Sequence, residues 1–310
     1  MRVLRKILLW IVLVVVMLLA LAAAAAFAYD ELVPFRTYPP QALYKGPFVR
    51  LDGRLVAYRQ WGRSGTPIVL IPGFAEPTFV FAQVGPLLGK RHRVYALDLP
   101  GYGYTERRPP YGLDGFTAEV TAFVRHFDLK RPLLVGHSLG AAVALSAARE
   151  LPVSGVVLAD GDGLSEGGGP GFLRHLVVEP YRTAAFRIVL GSDWAVRRIL
   201  QRAYGPLHPH LDHAEIEQWR RPFHVEGTEG ALWSMTAGGI PGFRLDDLRR
   251  MHVRALVLWG AKDTTDPLSS GRESAAALGA PVVVLPGAGH LAMLVLPGQW
   301  AAAVARFAAG

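Results

Sequence analysis

Ser138 stands in Gly136-His137-Ser138-Leu139-Gly140, directly after the apolar run Leu133-Leu134-Val135 and before the small residues Ala141-Ala142. Strand, sharp turn and helix in that order hold a serine hydroxyl on the turn, clear of the backbone. A serine hydroxyl is a weak nucleophile near neutral pH; it needs a base beside it and donors for the oxyanion that develops. Gly136 and Gly140 flank Ser138 where side chains would collide in a tight reversal, and the Leu139 N–H at the helix start can face the oxyanion. A glycine-rich turn whose serine caps a helix has the same pattern, so the partners decide the reading.

The base and the group that orients it are expected in loops at the carboxyl ends of later strands, where open α/β sheets gather reactive groups. His290 follows the apolar run Val282–Leu285 in Pro286-Gly287-Ala288-Gly289-His290, and Asp263 follows Ala255–Trp259 in Gly260-Ala261-Lys262-Asp263. Of the ten histidines, His92, His126, His137 and His252 sit beside or within core elements, and five others lie in the stretch 161–248. Asp160, ending the preceding strand, is the rival acid, with Asp266 and Asp162 behind it. Ser138 as nucleophile, His290 as base and Asp263 as its partner make an acyl-transfer constellation that requires no cofactor and no metal.

The elements that must position these groups follow from pattern. Phe48–Leu51 and Leu55–Gln60 flank Asp52-Gly53, a two-residue hairpin signal, so the first strand pair is antiparallel. Pro67–Ile71, Val94–Leu97, Leu133–Val135, Val153–Ala159, Ala255–Trp259 and Val282–Leu285 read as buried strands. Helical stretches alternate with them: 79–88, 116–127, 141–150, 269–278 and 297–309. The alternation predicts an α/β fold whose central sheet is mostly parallel, with helices on both faces.

From 161 to 248 the alternation stops, and amphipathic pieces over 172–190, 194–204 and 214–220 predict a helical cap insertion. Its glycine-rich start, Gly167-Gly168-Gly169-Pro170-Gly171, reads as a hinge or as a plain surface loop. Within 172–204, Arg174, Arg182, Arg187, Arg197, Arg198 and Arg202 interleave with apolar residues. That composition suits a helix at a lipid interface, or a pocket cover whose arginines are solvated. The core is expected over 48–160 and 249–310, and 31–47, rich in proline and aromatics, as a tether.

Residues 1–30 stand apart. Arg2, Arg5 and Lys6 precede an unbroken apolar run from Ile7 to Ala28, and about 22 residues at 1.5 Å each reach across a hydrocarbon core of roughly 30 Å. An uncleaved transmembrane anchor is expected, with the N-terminus inside and the body outside the cytoplasm. Ala26-Phe27-Ala28 also resembles a cleavage site, which leaves a secreted form open. There is no cysteine, which excludes disulfides, thiolate metal sites and cysteine catalysis. The net charge of +8 rests mostly on arginine without interleaved aromatics, so no nucleic-acid partner is expected.

Over Phe48–Gly310 the chain resembles the α/β-hydrolase superfamily, in its branch with a helical cap. The motifs are Ile71-Pro72-Gly73-Phe74, Asp98-Leu99-Pro100-Gly101-Tyr102-Gly103, Gly136-His137-Ser138-Leu139-Gly140, Trp259-Gly260-Ala261-Lys262-Asp263 with Pro267, and Pro286–His290, and the order serine, acid, histidine is the family's. The resemblance implies that the Phe74 N–H joins that of Leu139 in the oxyanion hole. Pro72 replaces the histidine many relatives carry there, which leaves a backbone donor intact. Relatives with an aspartate nucleophile, the haloalkane dehalogenases and epoxide hydrolases, are disfavoured by Ser138.

The expected activity is hydrolysis of an ester or related acyl bond, on a small-molecule or lipid-like substrate. A carbon–carbon hydrolase, lyase or cofactor-free haloperoxidase-like enzyme on the same triad, or a non-catalytic binder in the same shell, are the alternatives. His208-Pro209-His210-Leu211-Asp212-His213 spells a metal-site pattern, but in a proline-broken part of the insertion rather than after a strand.

Overall fold

The computed structural model describes residues 2–164, 180–236 and 242–310. The glycine-rich stretch 167–171 and the first part of the amphipathic piece 172–190 lie outside the described residues. Two compact units emerge: residues 1–36 with 169–195, and residues 37–168 with 196–310.

In chain order the helices are α1 (Arg2–Leu32), α2 (Pro40–Leu43), α3 (Val84–Gly89), α4 (Leu113–His126), α5 (Leu139–Ala148), α6 (Tyr181–Gly191) and α7 (Asp193–Tyr204). They continue with α8 (His213–Arg220), α9 (Thr228–Thr236), α10 (Leu245–Arg249), α11 (Leu268–Leu278), α12 (Ala292–Val295) and α13 (Pro297–Ala308). The strands are β1 (Phe48–Leu51), β2 (Arg54–Trp61), β3 (Pro67–Ile71), β4 (Arg93–Leu97), β5 (Leu133–His137), β6 (Gly155–Ala159), β7 (Ala255–Gly260) and β8 (Val282–Leu285).

In the larger unit, the eight strands form one sheet in the order β1-β2-β4-β3-β5-β6-β7-β8. The hairpin β1/β2 and the pair β2/β4 are antiparallel, and every later pair is parallel. Every residue of β5, β6 and β7 is buried, as strands covered by helices on both faces require. The chain leaves β3 for β4 on one side and returns to β5 on the other, with Ile71 opposite Gly136. At such a reversal the two outgoing loops diverge around a crevice at the carboxyl ends, so the loop after β3 and the turn after β5 border the same space.

One helix differs from expectation. The helix read over 79–88 is a 3-10 turn (Thr78–Phe81) followed by the separate α3. Pro86 has no N–H to give the Ala82 carbonyl, so a continuous helix would lose a bond there, while proline fits the first turn of a new one.

Between β6 and β7 the described residues contain helices and no strand beyond the isolated bridges Leu164–Phe243 and Tyr38–Val225. Val196, Leu200 and Tyr204 of α7 and Ile216 and Trp219 of α8 join the cluster formed by Ile68, Phe81 and Trp300. Trp219 meets Phe79 edge-on at 4.8 Å. The half-buried Arg107 ties this stretch to the loop after β4: its guanidinium donates to Gly103 O (2.8 Å), Pro222 O (2.9 Å) and Thr228 Oγ1 (2.9 Å).

The smaller unit pairs α1 with α6. Tyr181 Oη donates to Leu19 O at 2.7 Å, Arg187 Nη1 lies 3.0 Å from Asp30 O and 3.9 Å from Asp30 Oδ1, and Phe186 packs edge-on against Phe35 at 5.8 Å. Most apolar side chains of α1 from Val3 to Leu21 are exposed.

Candidate active site

Ser138 occupies the one-residue turn between β5 and α5 with φ 51° and ψ −124°. A serine there costs on the order of 1–3 kcal/mol, which the packing around it must offset. The turn closes only because glycines border it: a Cβ on Gly136 would lie 2.0 Å from Gly140 O, and one on Gly140 2.3 Å from Ile71 O. The Ser138 N–H donates to Ala159 O at 2.9 Å, which locks the turn against β6.

The loop after β3 passes beside it, so close that a Cβ on Gly73 would stand 2.9 Å from Ser138 Cβ. Phe74 follows Gly73, and Leu139 is the first residue of α5. Neither the Phe74 nor the Leu139 N–H has an acceptor among the described residues.

Asp263 and His290 meet in the structure. Asp263 Oδ2 is 2.8 Å from His290 Nδ1, in a pair with side chains 0% and 7% exposed. Oδ1 of the same carboxylate accepts Thr265 N (2.8 Å) and Asp266 N (3.1 Å), which fixes its plane. With its proton on Nδ1 facing the carboxylate, the imidazole presents Nε2 as its basic nitrogen. Burial opposes the imidazolium, but the hydrogen bond and charge of Asp263 outweigh it and hold the His290 pKa above the ordinary value. The carbonyls of Ala203 and Tyr204, ending α7, accept the N–H groups of Leu291 and Gly289 at 3.2 Å each and bracket His290 on both sides.

Asp160 serves elsewhere. Its Oδ1 accepts Gly260 N at 2.6 Å, and burial pushes its pKa up to about 7 against the pull of the nearby His137 and His290. Asp162 Oδ1 caps Leu164 N at 2.8 Å, and the Asp266 carbonyl receives the Trp259 indole N–H at 3.2 Å. In the histidine-rich stretch, Asp212 Oδ1 caps α8 through Glu215 N at 2.9 Å, and His208 Nδ1 lies against Pro209 O. No group of three or more metal-ligating side chains converges among the described residues.

Sequence reasoning missed a second buried pair beside Asp263 and His290. His137 Nδ1 lies 2.7 Å from Glu76 Oε2 and its Nε2 lies 2.8 Å from His290 O, while the same Glu76 oxygen accepts Gly73 N at 2.8 Å. Three segments therefore meet on one imidazole: the loop after β3, the serine turn and the histidine loop. Burial alone would strip the proton from His137, but the charge and hydrogen bond of Glu76 push its pKa up to about 9. Burial likewise opposes the Glu76 carboxylate, and His137 wins, holding it below the ordinary value. At neutral pH this is an imidazolium donating to a carboxylate and to a backbone carbonyl. The two histidine rings are 4.8 Å apart. A histidine inside the serine motif was the only signal, and nothing in the spacing linked it to Glu76.

Compared with known proteins, residues 68–307 match the model of the alpha/beta hydrolase family. The dihydrolipoyllysine-residue acetyltransferase component of the acetoin cleaving system of Pseudomonas putida is 32% identical over 255 residues, covering 79% of this chain and 64% of that protein. Among solved structures, the enol-lactonase from Burkholderia xenovorans LB400 superposes with a TM-score of 0.72 at 20% identity, over 85% of this chain and 100% of that one. A bacterial membrane phospholipase A superposes with a TM-score of 0.68 at 21% identity, over 96% of this chain and 97% of that one. Both share the fold described above.

Proposed function

This chain belongs to the α/β-hydrolase family, and from the geometry of its site we propose that it is a serine hydrolase cleaving a carboxylic ester or related acyl bond. The 2.8 Å contact of Asp263 with His290, on loops that follow adjacent strands beside the Ser138 turn, carries this reading. His290 Nε2 takes the hydroxyl proton as Ser138 Oγ bonds to the acyl carbon, and the carbonyl oxygen becomes an oxyanion facing the Phe74 and Leu139 N–H groups. The intermediate collapses, His290 returns the proton to the leaving alkoxide, and an acyl-enzyme remains. Water, deprotonated by the same imidazole, attacks the ester, and Ser138 leaves with its proton restored. Asp263 keeps the imidazole in the right tautomer throughout.

We read α1 as an uncleaved anchor that crosses a membrane once, with the catalytic body outside the cytoplasm. Within the span Val3–Leu32 the most apolar 18-residue window has a mean hydropathy of 3.2 and is not buried, while Arg2, Arg5 and Lys6 stand at one end and Asp30 and Glu31 at the other. The match to the membrane phospholipase covers 96% of this chain, so it reaches into α1. A lipid-like ester presented at a bilayer is the substrate class that fits both features.

Two measurements test the chemistry. A fluorophosphonate probe is expected to label the protein once, and Ser138→Ala to abolish the label. A series of p-nitrophenyl esters of rising chain length is expected to be hydrolysed by the wild type only. Labelling that survives the substitution removes Ser138 as nucleophile, and a labelled protein inert on every ester but active on a carbon–carbon substrate overturns the ester reading.

A further inference from the structure

The contacts between α1 and α6 fix at which level along the anchor the second helix runs. Tyr181 opens α6, and its hydroxyl donates to the carbonyl of Leu19 at 2.7 Å. Leu19 precedes Ala28, the end of the apolar run, by nine residues, which is about 14 Å of helix. Farther along α6, Arg187 reaches Asp30, the first charged residue past that run, and lies across the Phe35 ring at 5.6 Å. From Leu19 to Asp30 is roughly 16 Å along α1 and from Tyr181 to Arg187 roughly 9 Å along α6, the two long side chains spanning the remainder, so α6 climbs beside the outer half of the anchor.

The chemistry of each level matches that path. A tyrosine hydroxyl within hydrocarbon finds no water and must donate to protein, here a carbonyl of the neighbouring helix. An Arg–Asp pair with side chains only 17% and 16% exposed belongs at the boundary where charge begins. Beyond the Phe186 contact, Ile188 and Val189 are 52% and 39% exposed, and Trp194, just past the end of α6, is 70% exposed. Aliphatic side chains and then a tryptophan, in that order, are what a segment leaving a bilayer presents to acyl chains and then to the headgroup boundary.

We propose that α6 and the first turn of α7 insert into the leaflet at the Asp30 end of α1, with Ile188, Val189 and Trp194 against lipid. The partner surface is the bilayer that α1 crosses. This rests on the reading of α1 as a membrane span.

The absence of cysteine allows the test on the full-length chain. Single cysteines at Leu13, Ile188 and Lys130, each carrying the fluorophore NBD, are reconstituted in phosphatidylcholine vesicles with or without lipid brominated on its acyl chains. Leu13 lies within the apolar run, six residues past its start at Ile7, and Lys130 is a solvent-facing charge, 82% exposed. The Leu13→Cys and Ile188→Cys labels are expected to lose emission to brominated lipid and to resist aqueous iodide, and the Lys130→Cys label to do the reverse. Arg187→Glu, which repels Asp30, is expected to roughly halve the brominated-lipid quenching at Ile188→Cys, and Asp30→Arg added to it to restore the quenching. Hydrolysis of a short soluble ester stays unchanged in both variants. An Ile188→Cys label open to iodide while Leu13→Cys is shielded overturns the insertion of α6 and leaves the anchor standing. A Leu13→Cys label open to iodide overturns both.

Discussion

Replacing Glu76 by glutamine should move the acid limb of the pH–rate profile upward by about one unit. The amide keeps the size of the side chain and still accepts the Gly73 N–H, which in the wild type spans 2.8 Å. What it removes is the negative charge that holds the His137 pKa up at about 9; buried without it, His137 becomes neutral near pH 7. His137 and His290 have ring centroids 4.8 Å apart. Two unit charges at that distance repel by roughly 2–3.5 kcal/mol at effective dielectric constants of about 20–40. Neutral His137 therefore makes His290 easier to protonate. The lost carboxylate acts in the opposite sense, because its charge also attracts the His290 imidazolium, but it stands behind the His137 ring, which lies 4.8 Å from that of His290, so the net shift is upward. A net of about 1.4 kcal/mol is one pKa unit. His290 works as a base only when deprotonated, so a higher pKa shifts the rising limb of kcat/KM to higher pH and leaves the plateau nearly in place. The assay is kcat/KM for a short p-nitrophenyl ester at closely spaced pH values, in wild type and Glu76→Gln. A limb that stays put, or moves to lower pH, refutes the coupling between the two histidines.

Asp263→Asn is expected to lower kcat by about four orders of magnitude, whereas Asp160→Asn, which preserves an acceptor for Gly260 N, should stay near wild type; the reverse ranking in folded proteins would assign the acid to Asp160. Arg54→Met strands Glu119, whose carboxyl burial already pushes up to about 7 despite its ion pair with Arg54, and should cost about 3–5 kcal/mol in denaturant unfolding near neutral pH. Without Arg54 the folded-state Glu119 pKa rises further above the wild type's, so this deficit should stay nearly constant below about pH 7, where both folded proteins hold the proton, and grow as pH rises past 7. A C-terminal alkaline phosphatase fusion should be active, and protein from the membrane fraction should retain residues 1–28 by mass; an inactive fusion refutes the orientation, and a mass lacking those residues shows cleavage.

Much of the fold could be read locally. β5, β6 and β7 are unbroken apolar runs because both faces are covered, and period and composition report that directly. The Asp52-Gly53 hairpin, the serine turn between Gly136 and Gly140, and the post-strand positions of Asp263 and His290 depend on residues within a few places of one another. The one misread helix, 79–88, failed over a local rule given too little weight, since Pro86 divides it.

Tertiary structure alone decided which distant groups meet. Glu76 and His137 are 61 residues apart and touch because β3 lies beside β5 in the sheet, an order that no pattern along either strand encodes. Arg107 reaches Pro222 and Thr228 more than a hundred residues on, and Tyr181 finds Leu19 across 162. Periodicity and turn chemistry report a residue's immediate surroundings. Strand order and helix pairing come from burying all the apolar faces together, and a polar group's partner is whatever that packing brings within reach.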